Sequence, residues 1–131
     1  MSESAINLFA KARALLNTYT EDGIQIPEAD YIDMQEKAIP LIDMGHKELY
    51  EIAKIDLLKE EPNTIITIND ITEVNYKADQ AIVYYVAARL APFKKKELVQ
   101  YFEDKFEQLK RGCRNKATAI LIVDAYAESD V

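Results

Sequence analysis

Ala81-Ile-Val-Tyr-Tyr-Val-Ala-Ala-Arg-Leu-Ala91, followed directly by Pro92, is the stretch whose reading decides the fold. Ten of its eleven residues are apolar or aromatic, and only Arg89 is charged. Wound as a helix it has almost no polar face, so it must be covered on most sides. Eleven residues are too few to span a bilayer, which takes about 20. The stretch therefore reads as the central helix of a small bundle. Each large aliphatic it buries (Ile82, Val83, Val86, Leu90) contributes roughly 1.5–3 kcal/mol. The alanines at 87, 88 and 91 let a neighbouring helix, from this chain or another, approach closely. Tyr84 and Tyr85 are adjacent and cannot both face one core, so at least one is expected at a seam where its hydroxyl meets water or a partner.

Working outward, Ser4 can cap a first helix reaching about Tyr19. Its apolar positions form two rows, Ile6, Phe9 and Leu16 beside Leu8, Ala12, Leu15 and Tyr19. Thr20 to Gly23 reads as a turn, and Pro27 suits the start of the next helix. A stripe of Tyr31, Met34, Ala38, Leu41, Gly45, Leu49 and Ile52 predicts a long second helix from Glu28 to about Leu57. Pro40 inside it should kink or split the axis, and Gly45 on the stripe marks a close crossing or a weak point. The β-branched run Thr64-Ile-Ile-Thr-Ile68 reads as a short strand, with Ile71 to Val74 able to pair with it as a hairpin. After Pro92 and the loop Phe93-Lys-Lys-Lys96, Val99, Phe102, Phe106, Leu109 and Cys113 mark a final helix, packed antiparallel on the central one. Residues 119–123, Ala-Ile-Leu-Ile-Val, read as an extended tail segment. The expected fold is mainly α: one domain over residues 1–131, a bundle of four to five helices with a short β-hairpin or strand at about 64–74 and an extended tail over about 119–131.

Composition narrows the function. The chain has 131 residues and a formal net charge of −7, with one Cys and one His. An acidic surface does not grip nucleic acid, which needs a basic face. It does not prevent a protein from surrounding DNA without holding it. A single cysteine, Cys113, excludes an internal disulfide and fits a reducing compartment. The start, Met1-Ser-Glu-Ser-Ala, has no basic flank before an apolar run, unlike a signal peptide, and no run is long enough for a membrane span. The expected setting is cytoplasmic.

Little catalytic chemistry is visible. His46, with Asp43 one turn before it, is half a metal site at best and reads as a surface or edge imidazole. Cys113 completes an apolar stripe and reads as a packing thiol. The carboxylates at 30, 33 and 36, and those at 103, 104 and 107, look like solvated helix faces. No phosphate loop, zinc spacing or calcium loop is present. No catalytic, cofactor or metal residues are assigned, and no cofactor is expected. Lys94-Lys95-Lys96 is the basic run, read as a solubilising loop tip or as a contact for an acidic partner surface.

Two parts of the chain together resemble a known family. One is Ala12-Arg-Ala-Leu-Leu-Asn-Thr-Tyr-Thr-Glu-Asp-Gly23 leading into Ala38-Ile-Pro-Leu-Ile-Asp-Met-Gly-His-Lys-Glu-Leu-Tyr-Glu-Ile-Ala53. The other is the tyrosine helix at 81–91 followed by Tyr101-Phe-Glu-Asp-Lys-Phe-Glu-Gln-Leu-Lys110. Their order is similar to that of the head–tail connector, or adaptor, proteins of tailed bacteriophages. The resemblance implies a structural virion protein of the neck, present in the host cytoplasm during assembly. It implies self-association into a ring, commonly dodecameric, beneath the portal protein. Such a ring extends the DNA channel and offers a docking platform for tail or stopper proteins. It implies no enzyme activity, no membrane and no sequence-specific DNA contact. Longer relatives carry a larger β insertion where this chain has only residues 63–74.

On that reading the contact candidates are Tyr84, Tyr85, Arg89, Lys94, Lys95 and Lys96 for lateral or portal contacts. Ile120, Ile122 and Tyr126 are the candidates for docking through the tail, which could add a strand to a neighbour. A different class also fits: a small acidic helical protein-binding module, regulatory or antitoxin-like. An enzyme is the third class, disfavoured because one His and one Cys leave few ways to build a site.

Overall fold

A computed structural model describes residues 3–18, 28–91 and 96–114. Four helices account for most of them: α1 (Ala5–Thr18), α2 (Glu28–Ala53), α3 (Tyr76–Leu90) and α4 (Lys96–Gly112). The small helical bundle expected from the sequence is present. The apolar stretch at 81–91 lies at its centre, as α3, and α1, α2 and α4 all pack on it. Ala78, Ala81, Ile82, Val83 and Tyr85 to Ala88 are buried, so the helix is covered nearly all round. Gly45 on α2 lies so close to α3 that an added Cβ would sit 3.2 Å from the Tyr85 ring and 3.5 Å from Ile82. Gly45 is therefore a close crossing.

α3 and α4 form the expected antiparallel hairpin. Tyr85 stacks edge-on against Phe106 at 5.2 Å, and Arg89 reaches Glu103 at 3.4 Å. At the opposite end, Asn75 Nδ2 donates to the Cys113 carbonyl at 2.8 Å. Phe102 and Phe106 are buried, with Val99 and Leu109 half-buried beside them. This end of the bundle is held by Asn75, the N-cap of α3. Its Oδ1 accepts from Ala78 N at 2.9 Å, its own N–H donates to the Ala53 carbonyl, and its carbonyl takes the Asp79 N–H. One residue thus satisfies the open end of α3 with its side chain and ties it to the end of α4 with its side chain and to the end of α2 with its backbone N–H.

Several expectations need correction. Of the kink or split expected at Pro40, the split does not occur: the second helix runs from Glu28 to Ala53 with Pro40 inside it. That helix stops four residues short of Leu57, because its end is captured from outside. Asn75 N–H takes the Ala53 carbonyl and Ile55 N–H donates to Glu73 O. The buried face of α2 is Ala38, Ile42, Gly45, His46, Leu49, Tyr50 and Ala53. Leu41 and Ile52 lie at its edge, and Ile6 of α1 is exposed.

The β-hairpin is absent among the described residues. Residues 64–68 and 71–74 do not pair with each other; they belong to a strap, residues 55–74, that joins α2 to α3 and pairs with what lies on either side. On one side, Ala5 N–H donates to Asp70 O, Ile6 N–H to Ile68 O, and Thr72 N–H to Glu3 O. On the other, Lys54 and Val74 form an isolated antiparallel bridge. The tip is closed by Asp70, whose Oδ2 accepts from Ile66 N at 2.7 Å and Thr67 N at 2.8 Å. A carboxylate occupies those donors where a partner strand would. The tail at 119–131, the turn at 20–23 and Pro27 lie outside the described residues.

Candidate functional site

The strap is pinned to α2 by three side chains that share one face of that helix. Asp43 Oδ1 accepts from Ile65 N at 2.9 Å. His46 Nε2 accepts from Glu73 N at 2.9 Å. Tyr50 Oη donates to Lys59 O at 2.7 Å. Spacings of three and four residues place the three side by side, so α2 presents a row of hydrogen-bonding partners to a backbone with no ladder of its own. Lys59 closes the row by pairing with Glu73 at 2.7 Å.

His46 is therefore fully buried, and the expectation of a surface or edge imidazole was wrong. Because Nε2 accepts a hydrogen bond, the neutral ring carries its proton on Nδ1. Burial pulls its pKa below 6.5, with the charges of Glu73 and Asp43 opposing. Asp79, on the first turn of α3, is a buried carboxylate. Its Oδ1 accepts from the Thr72 hydroxyl at 2.6 Å. Burial pushes its carboxyl up to about 7, against the lowering effect of the Thr72 hydrogen bond. Both groups bind the strap to the bundle. Among the described residues no group of three or more His, Cys, Asp or Glu could hold a metal ion. Cys113 is buried as a packing thiol, with Sγ donating to Lys110 O at 3.1 Å, and burial raises its pKa.

The strap exposes large aliphatic side chains. Leu58 is 93% exposed and Ile66 70%, and Ile55, Leu57 and Ile71 are exposed as well. Five large aliphatics are thus exposed along 17 residues of the chain (55–71). The consecutive pair Ile65 and Ile66 shows the division. Ile65 is buried under the strap, while Ile66 points outward.

A second surface feature is a groove of about 480 Å³ running over α3 between α1 and α4. Leu15, Val83, Tyr84 and Leu109 supply apolar walls, with Lys11 and Lys105 among the polar groups along it.

The residues expected to make contacts separate accordingly. Tyr84 is half-buried and lines the groove, 6.1 Å from the Phe102 ring. Tyr85 is buried inside the bundle, so at the central helix it is Tyr84 that meets the surface. Arg89 is engaged within the chain: its guanidinium sits 3.5 Å from the Tyr85 ring centroid and donates to the Tyr85 carbonyl at 3.1 Å. Lys96 is the exposed first residue of α4. Lys94, Lys95, Ile120, Ile122 and Tyr126 lie outside the described residues. The apolar strap was not among the expected contacts. Its signal was Leu57-Leu58 beyond the helical stripe and two isoleucines in succession.

No protein-family model, curated protein or solved structure matches this chain. No helix among the described residues is long and apolar enough to cross a membrane.

Proposed function

We propose that this chain is a structural virion protein, a head–tail connector that assembles as a ring beneath a portal and receives tail or stopper proteins. The observation that carries the reading is the strap. It is an apolar surface held rigidly by Asp43, His46 and Tyr50 on a closed helical bundle. A surface of that kind suits permanent contact with another protein, because little backbone entropy is lost on docking. The order of the tyrosine helix and α4, similar to that of connector proteins, supports the same reading. So does the net charge of −7, since an acidic ring repels the DNA backbone and lets it slide.

The test is co-sedimentation of the purified chain with portal-bearing capsids from its own source. The wild-type chain is expected to pellet with the capsids, and Leu58→Asp to stay in the supernatant with its helical circular dichroism unchanged. Equal pelleting of both would remove the strap from the interface. The groove favours a second reading, a small acidic module that captures one partner. A chain that ignores capsids but captures a single soluble partner would support it.

A further inference from the structure

We infer that the groove over α3 receives an acidic amphipathic helix of a partner protein, its apolar side on Val83, Tyr84 and Leu109 and one of its carboxylates on Lys105. Nothing in this depends on what the strap contacts. The shape of the bundle carries it first. α1 and α4 both pack on α3 but hardly on each other, so a strip of α3 stays open between them. The two walls repeat one spacing, Lys11, Ala14 and Leu15 from α1 facing Lys105, Gln108 and Leu109 from α4. Offsets of three and four put each trio on one face of its helix. The floor follows α3 from Tyr76 to Tyr84, eight residues or about 12 Å. Two turns of another helix, with apolar residues at i, i+3, i+4 and i+7, match that length, and helices recognised in grooves are read through those positions.

Charge then selects the kind of helix. The chain carries a formal net charge of −7. Yet among the described residues that line the groove there is no carboxylate, and a lysine stands on each wall. α1 has no acidic residue at all; its charged residues are Lys11 and Arg13. On α4 the acidic residues Glu97, Glu103, Asp104 and Glu107 all lie off the groove wall. Lys11 is already shared, pairing with Glu3 at 3.0 Å and lying 5.9 Å from the Tyr76 ring centroid. Lys105 is different. It is half-buried, and the residues three and four positions from it on α4 are Tyr101, Phe102, Gln108 and Leu109. It has no ion pair among the described residues. Such an ammonium gains most from a carboxylate that arrives together with an apolar face, because the pair is then shielded from water and salt. An acidic amphipathic helix brings both at once, whereas a basic one meets like charge on both walls.

The experiment titrates the full chain with a panel of synthetic helices of about 15 residues. Each is apolar at spacings of three, four and seven, and each is made as a glutamate-rich peptide and a lysine-rich twin. Methyl signals of Leu15, Val83 and Leu109 are expected to shift with the acidic peptides, while those of Leu58 and Ile66 on the strap stay in place. The acidic member of a pair should bind about fivefold tighter, and Lys105→Glu should reverse that order. Lys105→Gln should bring the twins closer together. Helical circular dichroism unchanged in both variants separates loss of charge from loss of fold. Leu58→Asp should leave peptide binding as it is, so failure of the strap reading and failure of this one are separate results. No methyl shift with any acidic peptide, equal binding of the twins, or an order unmoved by Lys105→Glu would overturn the inference. So would dodecanoate shifting the same methyls while every peptide stays silent, which would make the groove a site for a small anionic amphiphile.

Discussion

At the scale of single residues, two buried groups give the chain opposite responses to pH. Asp79 titrates at 3.8 when unfolded and at about 7 when folded. Between those values the folded chain holds a proton that the unfolded chain has released. Stability from this group therefore falls as pH rises through that window and is lost above it. His46 works the other way. Its folded pKa lies below 6.5, so its contribution is present above 6.5 and is lost as pH falls. Denaturant titrations of Asp79→Asn and the wild type should therefore diverge with pH. The variant gains roughly 2–4 kcal/mol on the wild type between pH 4 and pH 8. In the Asp79→Asn background stability should rise with pH up to 6.5, and adding His46→Gln should flatten that rise. Asn75 offers a separate test. Asn75→Ala removes a helix cap and the donor to the Cys113 carbonyl together, and should cost about 2 kcal/mol in urea unfolding. Asn75→Asp keeps the cap oxygen and should cost less.

At the scale of elements, the crossing of α2 over α3 depends on Gly45. The Tyr85 ring there cannot withdraw, because Phe106 and Arg89 hold its other sides. Gly45→Val should destabilise by about 1–3 kcal/mol through overpacking. Gly45→Ala should cost less, because alanine regains about 1 kcal/mol of helix propensity. A thermal melt of the two variants orders them. The helices themselves were legible in the sequence, because apolar spacing and the all-round apolarity of 81–91 report burial directly. The close crossing at Gly45 and the α3–α4 hairpin could be read for the same reason. The strap could not be read correctly. β-branched residues at 64–68 signal extended backbone, but not what that backbone pairs with. Here the partners are the segment before α1 and polar side chains of α2. For the same reason His46 and Tyr50 were not recognised as buried: their polarity is satisfied by a segment distant in sequence. The cap at Asn75 was readable, as an asparagine shortly before the apolar stretch, and was missed because the central helix was read outward from 81–91 with no cap assigned.

At the scale of the whole molecule, a closed helical bundle carries a strap with exposed aliphatics, and in the proposed connector that strap makes the contact with other proteins. Mutations should divide along the same line. Phe102→Ala, deep between α3 and α4, should cost roughly 3–5 kcal/mol. Leu58→Asp should leave the melting temperature nearly unchanged and abolish assembly. The most direct measurement is electron microscopy of the chain mixed with portal-bearing capsids from its own source. The account predicts a ring of added density at the portal vertex with the strap against neighbouring protein. A bare vertex, with the chain remaining a monomer in solution, would contradict it.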